Sequence, residues 1–324
     1  MRYTRFGQTN LKVSRICFGT WQVGGDWGAP EERELKAAMR QALELGINFF
    51  DTAQAYGFGA SEQLLGKALE PEKKNHRAEV VLATKGGLRM EGDRLLRDSS
   101  PEWLRQGVED SLRFLGTDYI DLCQVHWPDF DTPLEETAET LNELVEEGKI
   151  RYVGVSNFGV EEMAEFEKRR KIDGLQPPYH LFRRDVEQEI LPYAAEHGIG
   201  VLVYGPLAHG LLSGRMTPEL ELAEDDWRAQ SDIFRGENFQ KNLQAVEELK
   251  RLAEERGSTI VQLAIAWTLA NPNVDVAIVG ARRPDHIEGA APAVEFDLSD
   301  DDLREIDNIM KGAVPVGGPT PEGV

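Results

Sequence analysis

The feature that most constrains this chain is a repeated alternation between short apolar runs and amphipathic stretches. Eight runs rich in β-branched or aromatic residues recur, and segments with helical spacing of apolar residues lie between them. In residues 31–45 the apolar side chains recur along one helix face, and Gly46 supplies a stop. The predicted strands are residues 14–20, 47–53, 80–85, 120–126, 150–157, 174–180, 200–206 and 274–281. The predicted helices are residues 31–45, 61–69, 100–115, 133–147, 160–170, 186–197, 238–256, 258–271 and 299–311.

The order and composition of these units predict the fold class. The strands are apolar throughout instead of alternating, which is typical of strands covered on both faces. Eight successive β-then-α units therefore favour a (β/α)8 TIM barrel over an open doubly wound sheet. The N-terminal segment, with its Gly-Gln-Thr-Asn turn, predicts a small β-hairpin placed to cap one end of the barrel. The last two predicted helices are additions near the C-terminus.

No linker interrupts the alternation, so we expect one domain over residues 1–324. A long insertion, residues 207–237, follows the seventh strand, and its part from 216 to 237 carries no motif with a clear meaning. The Gly- and Pro-rich end, residues 312–324, is expected to be a flexible tail.

Charge and composition argue against several classes of function. The net charge is −21, from 36 Lys and Arg against 57 Asp and Glu, and this field repels nucleic acid and anionic membranes. We expect neither as a partner. No apolar run approaches the roughly 20 residues that span a bilayer, and the N-terminus has no signal core. The cytoplasm is the expected location, with a monomer as the default state and an oligomer left open. No HxH, HExxH or CxxC pattern predicts a metal site.

Polar residues stand at the ends of the predicted strands, where a barrel of this class carries its chemistry. A single such residue has an ordinary structural explanation, because every strand must meet a polar loop. Seven or eight at one rim instead indicate a site. These strand ends are Thr20 with Trp21, Asp51, Lys85, His126, Ser156 with Asn157, Gln176, Tyr204, and residues 280–282.

Three of these positions and one nearby tyrosine form a candidate proton-donating set. We expect the Lys85 ammonium to lower the pKa of the Tyr56 phenol from its usual value of about 10. Asp51 would keep the lysine charged and oriented, so that the phenol acts as a general acid near neutral pH. His126 is placed to hold a carbonyl oxygen in line with the phenol. The set has no nucleophile and needs no metal.

Several motifs in the chain resemble those of the aldo-keto reductase family. They are DTAQAYGFG followed by SE and LLG, then VVLATK, QVHWPD and GKIRYVGVSNF, and the resemblance runs from about residue 1 to 311. YGPLAHGLLSGR and VGARRPDHIE resemble the bacterial and plant branch that is similar to potassium-channel β subunits. The resemblance implies a nicotinamide dinucleotide bound without a Rossmann motif and hydride transfer to an aldehyde or ketone. It implies that Tyr56 is the general acid, that Lys85 and Asp51 adjust the pKa of its phenol, and that His126 orients the carbonyl of the substrate.

The same resemblance implies a cofactor site. Ser156, Asn157 and Gln176 would hold the carboxamide, and the ring of Tyr204 would stack on the nicotinamide. The backbone of residues 206–215 would wrap the diphosphate. Arg282, with Arg283 beside it, is the candidate for a 2′-phosphate, which favours NADP(H) over NAD(H). The implied cofactor positions are Thr20, Trp21, Asp51, Ser156, Asn157, Gln176, Tyr204, Pro206, Leu207, Gly210, Leu211, Ser213, Arg215, Gly280, Arg282 and His286. The implied substrate positions are Trp21, Tyr56, His126 and Trp127.

Two functions from different classes stay open at this point. One is an NADPH-dependent carbonyl reductase that acts on a small molecule. The other is a cofactor-binding sensor or regulatory subunit with little turnover, which the likeness to channel β subunits permits. The acid–base set favours the enzyme, since a pure binder has no need of Lys85 or His126. A barrel lyase or isomerase that works without nicotinamide ranks third.

Overall fold

The computed structural model describes residues 1–24, 31–219, 222, 226, 228 and 234–316. Twelve strands are found in this part of the chain. They are β1 Tyr3–Arg5, β2 Lys12–Ser14, β3 Ile16–Gly19, β4 Phe49–Asp51, β5 Val81–Gly86, β6 Leu88–Glu91, β7 Arg94–Arg97, β8 Ile120–Val125, β9 Ile150–Ser156, β10 Gly174–Gln176, β11 Gly200–Val203 and β12 Val276–Gly280. The helices are α1 Glu32–Glu44, α2 Ala60–Ala68, α3 Glu70–Asn75, α4 Pro101–Leu115, α5 Leu134–Glu146, α6 Val160–Glu167, α7 Ile190–His197, α8 Gly236–Glu255, α9 Ile260–Ala270, α10 Pro284–Ala290 and α11 Asp300–Met310.

Eight of the strands close into a parallel barrel. Their order around the barrel is β3, β4, β5, β8, β9, β10, β11 and β12, and β12 pairs with β3 to complete the ring. Each predicted strand overlaps one barrel strand, and each predicted helix overlaps one observed helix. The predicted (β/α)8 TIM barrel is therefore confirmed. The single domain over the whole chain stays a prediction.

Four short elements were not predicted from the sequence. β6 and β7 pair as an antiparallel hairpin directly after β5, and α3 and α10 are helices of 6 and 7 residues. Elements this short contain at most two periods of apolar spacing, so the pattern that reveals the longer helices is too brief to detect.

The N-terminal hairpin of β1 and β2 closes the bottom of the barrel. Phe6 follows β1 and is fully buried, and its ring meets that of Phe49 edge-on at 5.8 Å between centroids. The next residue, Gly7, has φ +50°, and a Cβ there would lie 2.3 Å from the Gly200 nitrogen. Only glycine fits so close to the barrel wall in this backbone conformation.

Side chains that point into the barrel change from apolar to polar along the strands. The N-terminal half holds a buried apolar cluster that includes Phe49, Ala83 and Leu122. Because strand side chains alternate between faces, the residue two positions later points the same way. These later residues are Asp51 after Phe49, Lys85 after Ala83, and Gln124 after Leu122, and all three are buried. The fold thus gathers polar groups at the C-terminal ends of the strands.

The start of the expected C-terminal tail packs against the barrel. The Val314 N–H donates to Asn242 Oδ1 at 2.7 Å, and the Val316 N–H donates to the Phe182 carbonyl at 2.8 Å. Residues 317–324 of the expected tail lie outside the described residues, as do residues 220, 221, 223–225, 227 and 229–233 of the long insertion. Among the helices that are described, none combines the length and the apolar character needed to cross a membrane.

Candidate active site

A buried ion pair lies at the polar end of the barrel interior. Lys85 Nζ is 2.6 Å from Asp51 Oδ2 and also donates to the Thr52 carbonyl at 2.9 Å. The second oxygen of Asp51 accepts hydrogen bonds from the side-chain amides of Gln124 at 3.2 Å and Gln176 at 2.9 Å. Burying either charge alone would cost several kcal/mol. Lys85 and the two glutamines together satisfy both carboxylate oxygens of Asp51.

Tyr56 and His126 lie next to this pair. Lys85 Nζ is 4.9 Å from the centroid of the Tyr56 ring, and the Tyr56 and His126 rings meet edge-on at 5.8 Å between centroids. Tyr56 keeps 7% of its surface exposed and His126 keeps 3%. The structure therefore brings the four residues of the predicted proton-donating set together.

The imidazole of His126 is neutral at physiological pH. Its burial, and then the positive charge of Lys85, hold the pKa of His126 well below its ordinary value of 6.5. Nδ1 is buried and has no hydrogen-bond partner among the described residues. A buried N–H group without an acceptor is rare in proteins, so the geometry favours the tautomer with the proton on Nε2.

A set of amide and hydroxyl groups lies beside the ion pair, at the ends of β9, β10 and β11. Asn157 Nδ2 donates to the His126 carbonyl at 3.0 Å, and Asn157 Oδ1 accepts from the Tyr204 hydroxyl at 2.9 Å. The Ser156 hydroxyl donates to the Gln176 carbonyl at 2.8 Å. Asn157 has φ +62°, a left-handed conformation that asparagine tolerates better than most residues. These bonds fix the orientation of the Tyr204 ring.

An open cavity of about 250 Å³ runs over these groups. Its wall includes most of the residues that the sequence singled out. They are Thr20, Trp21, Asp51, Tyr56, His126, Ser156, Asn157, Gln176, Tyr204, Pro206, Leu207, Gly210, Gly280, Arg282 and His286. We call this cavity the cleft.

Five of the predicted residues lie off the wall of the cleft. Lys85 is buried beneath Tyr56, Leu211 is buried in the core, and neither Ser213 nor Arg215 forms part of the wall. Trp127 instead packs against Arg97, whose guanidinium carbon is 5.1 Å from the indole ring. Trp127 lies in a bend after β8, and Arg97 belongs to β7, so a contact with another element decides where the Trp127 ring lies.

The far end of the cleft is rich in positive charge. Burial lowers the pKa of His286, the Asp285 carboxylate opposes this effect, and the charges of Arg283, Arg215 and Arg282 add to it. Neither Arg215 nor Arg282 has an ion pair with a carboxylate among the described residues. Arg283, by contrast, pairs with Asp285 at 2.6 Å and is absent from the wall.

Two more histidines lie near the rim, and both are neutral near pH 7. His209 lines the cleft and meets the Trp21 ring edge-on at 6.3 Å, and His180 meets His209 in the same way at 6.1 Å. Burial, followed by nearby positive charge, lowers the pKa of His209 to about 4. Burial also holds the pKa of His180 well below its ordinary value of 6.5.

Sequence reasoning missed several residues of the site, and two of them, Gln124 and Gln22, have polar side chains. Gln124 shares its strand face with His126, so the spacing of two residues was a usable signal. Gln22 lines the cleft over Gly280, and a Cβ on that glycine would lie 1.4 Å from Gln22 Nε2. Gln22 follows the strand in a short 3-10 turn, where no periodic pattern marks it. In the described part of the chain, no group of three His, Cys, Asp or Glu side chains is arranged to hold a metal.

Comparison with known proteins agrees with this geometry. The sequence model of the aldo/keto reductase family matches residues 15–311. The chain is 42% identical to the aldo-keto reductase YhdN of Bacillus subtilis (strain 168), over 98% of this chain and 96% of that protein. It is 36% identical to the NADH-specific methylglyoxal reductase of Escherichia coli (strain K12), over 94% and 98%. The structure of a glycerol dehydrogenase from Gluconobacter oxydans superimposes with a TM-score of 0.90 at 40% identity, over 98% of both chains. The chain therefore belongs to the aldo/keto reductase family.

Proposed function

We propose that this protein reduces an aldehyde or ketone to an alcohol with NADPH, and that Tyr56 is the general acid. The observation that carries the proposal is the buried Asp51–Lys85 pair beneath Tyr56, with His126 beside it and the cleft above. The family supports the reaction class, because its members are oxidoreductases that use nicotinamide cofactors.

The residues of the cleft suit a nicotinamide group. Gln176 Oε1 has no hydrogen-bond partner among the described residues, so it can accept from the carboxamide nitrogen. The ring of Tyr204, held by Asn157, offers a flat wall for stacking. When bound, the cofactor supplies the hydride that reduces the carbonyl carbon. The protein supplies binding, orientation and the proton.

The proton comes from the phenol. As the carbonyl oxygen gains negative charge, Tyr56 transfers its hydroxyl proton to that oxygen and becomes a phenolate. Lys85, 4.9 Å from the ring centroid, stabilises the phenolate, and Asp51 keeps the ammonium in place at 2.6 Å. The pair is already oriented before the substrate arrives, so little reorganisation is needed in the transition state.

His126 holds the carbonyl. A neutral imidazole with its proton on Nε2 donates a hydrogen bond to the oxygen without competing with Tyr56 as an acid. Burial of the site keeps this imidazole neutral beside Lys85. An imidazolium there would repel the ammonium that the phenolate needs.

The preference for NADPH rests on Arg215 and Arg282. Arg282 lines the far end of the cleft together with His286, and the charge of Arg215 also acts on His286. Neither arginine has a carboxylate partner in the described residues, although the chain carries a net charge of −21. Planar guanidinium groups suit a phosphate monoester. The Escherichia coli relative is named as NADH-specific, so the family does not by itself decide between the two cofactors.

A regulatory subunit with little turnover gains no support, because it has no use for the buried acid–base set.

Comparing wild type with Tyr56→Phe tests the reaction. NADPH oxidation is followed with a panel of small aldehydes and ketones, and cofactor affinity is measured separately by fluorescence titration. We expect kcat to fall about 10²- to 10⁴-fold with unchanged cofactor affinity, because only the proton donor is lost. The matched control is Tyr193→Phe, whose hydroxyl donates to Glu167 on the outer surface, and it should keep wild-type kcat. Equal turnover in wild type and Tyr56→Phe would refute the mechanism.

Cofactor choice is tested with Arg282→Ala. Loss of one charged hydrogen bond to a phosphate is worth about 1.5–3 kcal/mol, so kcat/KM for NADPH should fall roughly 10- to 100-fold while the value for NADH stays constant. Arg283→Ala is the matched control, since that side chain pairs with Asp285 outside the cleft. Equal losses with both cofactors would remove the argument for NADPH.

A further inference from the structure

Behind the candidate active site lies a group of buried polar side chains that the mechanism above does not use. Ser61 and Glu62 stand in the first turn of α2, and both are fully buried at 0% exposure. Neither lines the cleft. They face the outer side of the barrel wall, at the ends of β3, β4 and β5. A polar pair in such a place needs a physical explanation, because burying polar groups is costly unless they are bonded.

Ser61 connects the backbone of Tyr56 to two strand ends. Its N–H donates to the Tyr56 carbonyl at 3.2 Å. Its hydroxyl donates to Thr20 Oγ1 at 2.7 Å and lies 2.9 Å from Thr52 Oγ1. Thr52 directly follows Asp51, and the Thr20 hydroxyl in turn donates to the Asp51 carbonyl at 3.2 Å. One serine thus joins the loop that carries Tyr56 to the residues around Asp51.

Glu62 makes the corresponding connection to β5. Its Oε1 accepts a hydrogen bond from the Thr84 hydroxyl at 2.6 Å, and Thr84 directly precedes Lys85. Its other oxygen, Oε2, is buried without a partner among the described residues. Burial raises the pKa of Glu62. An acidic residue in the first turn of a helix is favourable when exposed, but that benefit does not require burial against a strand.

We propose that Ser61 and Glu62 are positioning residues that fix the Tyr56 phenol relative to the Lys85 ammonium. This inference rests on the proposed function. Tyr56 lies in the loop between β4 and α2, outside both elements. The adjacent residues Ser61 and Glu62 tie that loop to both strands of the ion pair from the outside. An error of about 1 Å in the placement of a catalytic group can cost about 10² in rate.

Two variants remove these connections with little change in volume. Ser61→Ala deletes the bonds to Thr20 and Thr52, and Thr84→Val deletes the donor to Glu62. For both we expect kcat to fall about 10- to 100-fold, while KM and the dissociation constant for NADPH change by less than about twofold. The alkaline limb of the kcat–pH profile should move to higher pH, because a more distant Lys85 stabilises the phenolate less. The other titratable groups near the phenol or Lys85 are Asp51, Glu62, His126 and Cys17, and none of them is replaced in Ser61→Ala or Thr84→Val. Thr84→Val removes one hydrogen bond to Glu62, whereas Ser61→Ala removes none from these four groups.

A conservative variant and a matched control separate positioning from general damage. Glu62→Gln keeps an acceptor for Thr84, so it should retain nearly wild-type kcat. Ser14→Ala deletes an equally buried hydroxyl, which donates to the Ile16 carbonyl at 2.6 Å at the opposite end of the barrel. It should lower the unfolding temperature to a similar degree as Ser61→Ala and leave kcat and the pH profile unchanged.

The expected results of these variants can be told apart. Wild-type kcat and pH profile in folded Ser61→Ala and Thr84→Val would overturn the inference, and so would an equal loss of kcat in Ser14→Ala. If Ser61→Ala does not fold, Thr84→Val decides alone. Failure of the proposed function would be seen separately, as unchanged turnover in Tyr56→Phe.

Discussion

Replacing Asp51 by asparagine tests whether the buried ion pair supports both the fold and the chemistry. The carboxylate accepts on both oxygens, from Lys85 on one side and from Gln124 and Gln176 on the other. An asparagine has one accepting oxygen and one donating NH₂ group. Whichever way it turns, a donor faces a donor, and Lys85 loses its countercharge.

The geometry sets the size of the effect. At 2.6 Å and an effective dielectric constant of about 20, the Coulomb attraction between Asp51 and Lys85 is about 6 kcal/mol. The variant keeps some hydrogen bonding and the lysine can release its proton, so the expected loss of stability is about 3–5 kcal/mol. For a chain of this length that corresponds to a fall in unfolding temperature of roughly 4–7 °C. We also expect kcat to fall about 10²-fold, because the phenolate loses its charged neighbour.

Thermal unfolding and NADPH turnover measure the two effects. The control is Glu70→Gln, since Lys74 and Glu70 form a pair of the same chemical type at 2.5 Å, but on the surface. It should leave the unfolding temperature unchanged, because water screens an exposed pair. The double variant Asp51→Asn/Lys85→Met should be more stable than Asp51→Asn, since it buries no unpaired charge. A shift below about 2 °C for Asp51→Asn, or an equal shift for Glu70→Gln, would refute the reasoning.

Two further predictions concern acid sensitivity and helix glycines. Because the folded-state pKa of His180 lies well below its unfolded value of about 6.5, the unfolded chain binds more protons below that pH. The stability that His180 contributes is present above pH 6.5 and is lost as the pH falls below it. The urea midpoint of His180→Gln should therefore fall less between pH 7 and 5 than that of wild type. The control is His76→Gln, an exposed position, which should keep the wild-type slope. Identical slopes in wild type and both variants would contradict the lowered pKa of His180. Gly66→Ala should destabilise by about 1–3 kcal/mol despite its better helix propensity, because the new Cβ would lie 2.7 Å from a backbone carbonyl that ends α4. In Gly289→Ala, the new Cβ on α10 would meet no atom within 4 Å, so this variant should be more stable than wild type by about 0.5–1 kcal/mol. Thermal unfolding shifts of the same sign in Gly66→Ala and Gly289→Ala would contradict the packing argument.

The sequence by itself determined the barrel and the identity of its polar end. Eight apolar runs with helices between them leave few alternatives, because parallel strands need helical crossovers to cover both faces. The alternation of side chains along a strand then places Asp51 and Lys85 on the inner face, each two residues beyond an apolar neighbour, and His126 on the same face as Gln124. These conclusions depend only on local periodicity, and for that reason the structure agrees with them.

Specific side-chain contacts and turn geometry decided the rest. Trp127 was predicted to line the cleft and instead stacks on Arg97, while Gln22 lines the cleft without any signal in its short turn. The role of Arg283 depends on its bond to Asp285, and the placement of Tyr56 depends on Ser61. Such positions are set by partners elsewhere in the fold or by turn geometry without a period. Local periodicity contains no information about them, so only the tertiary structure could decide them.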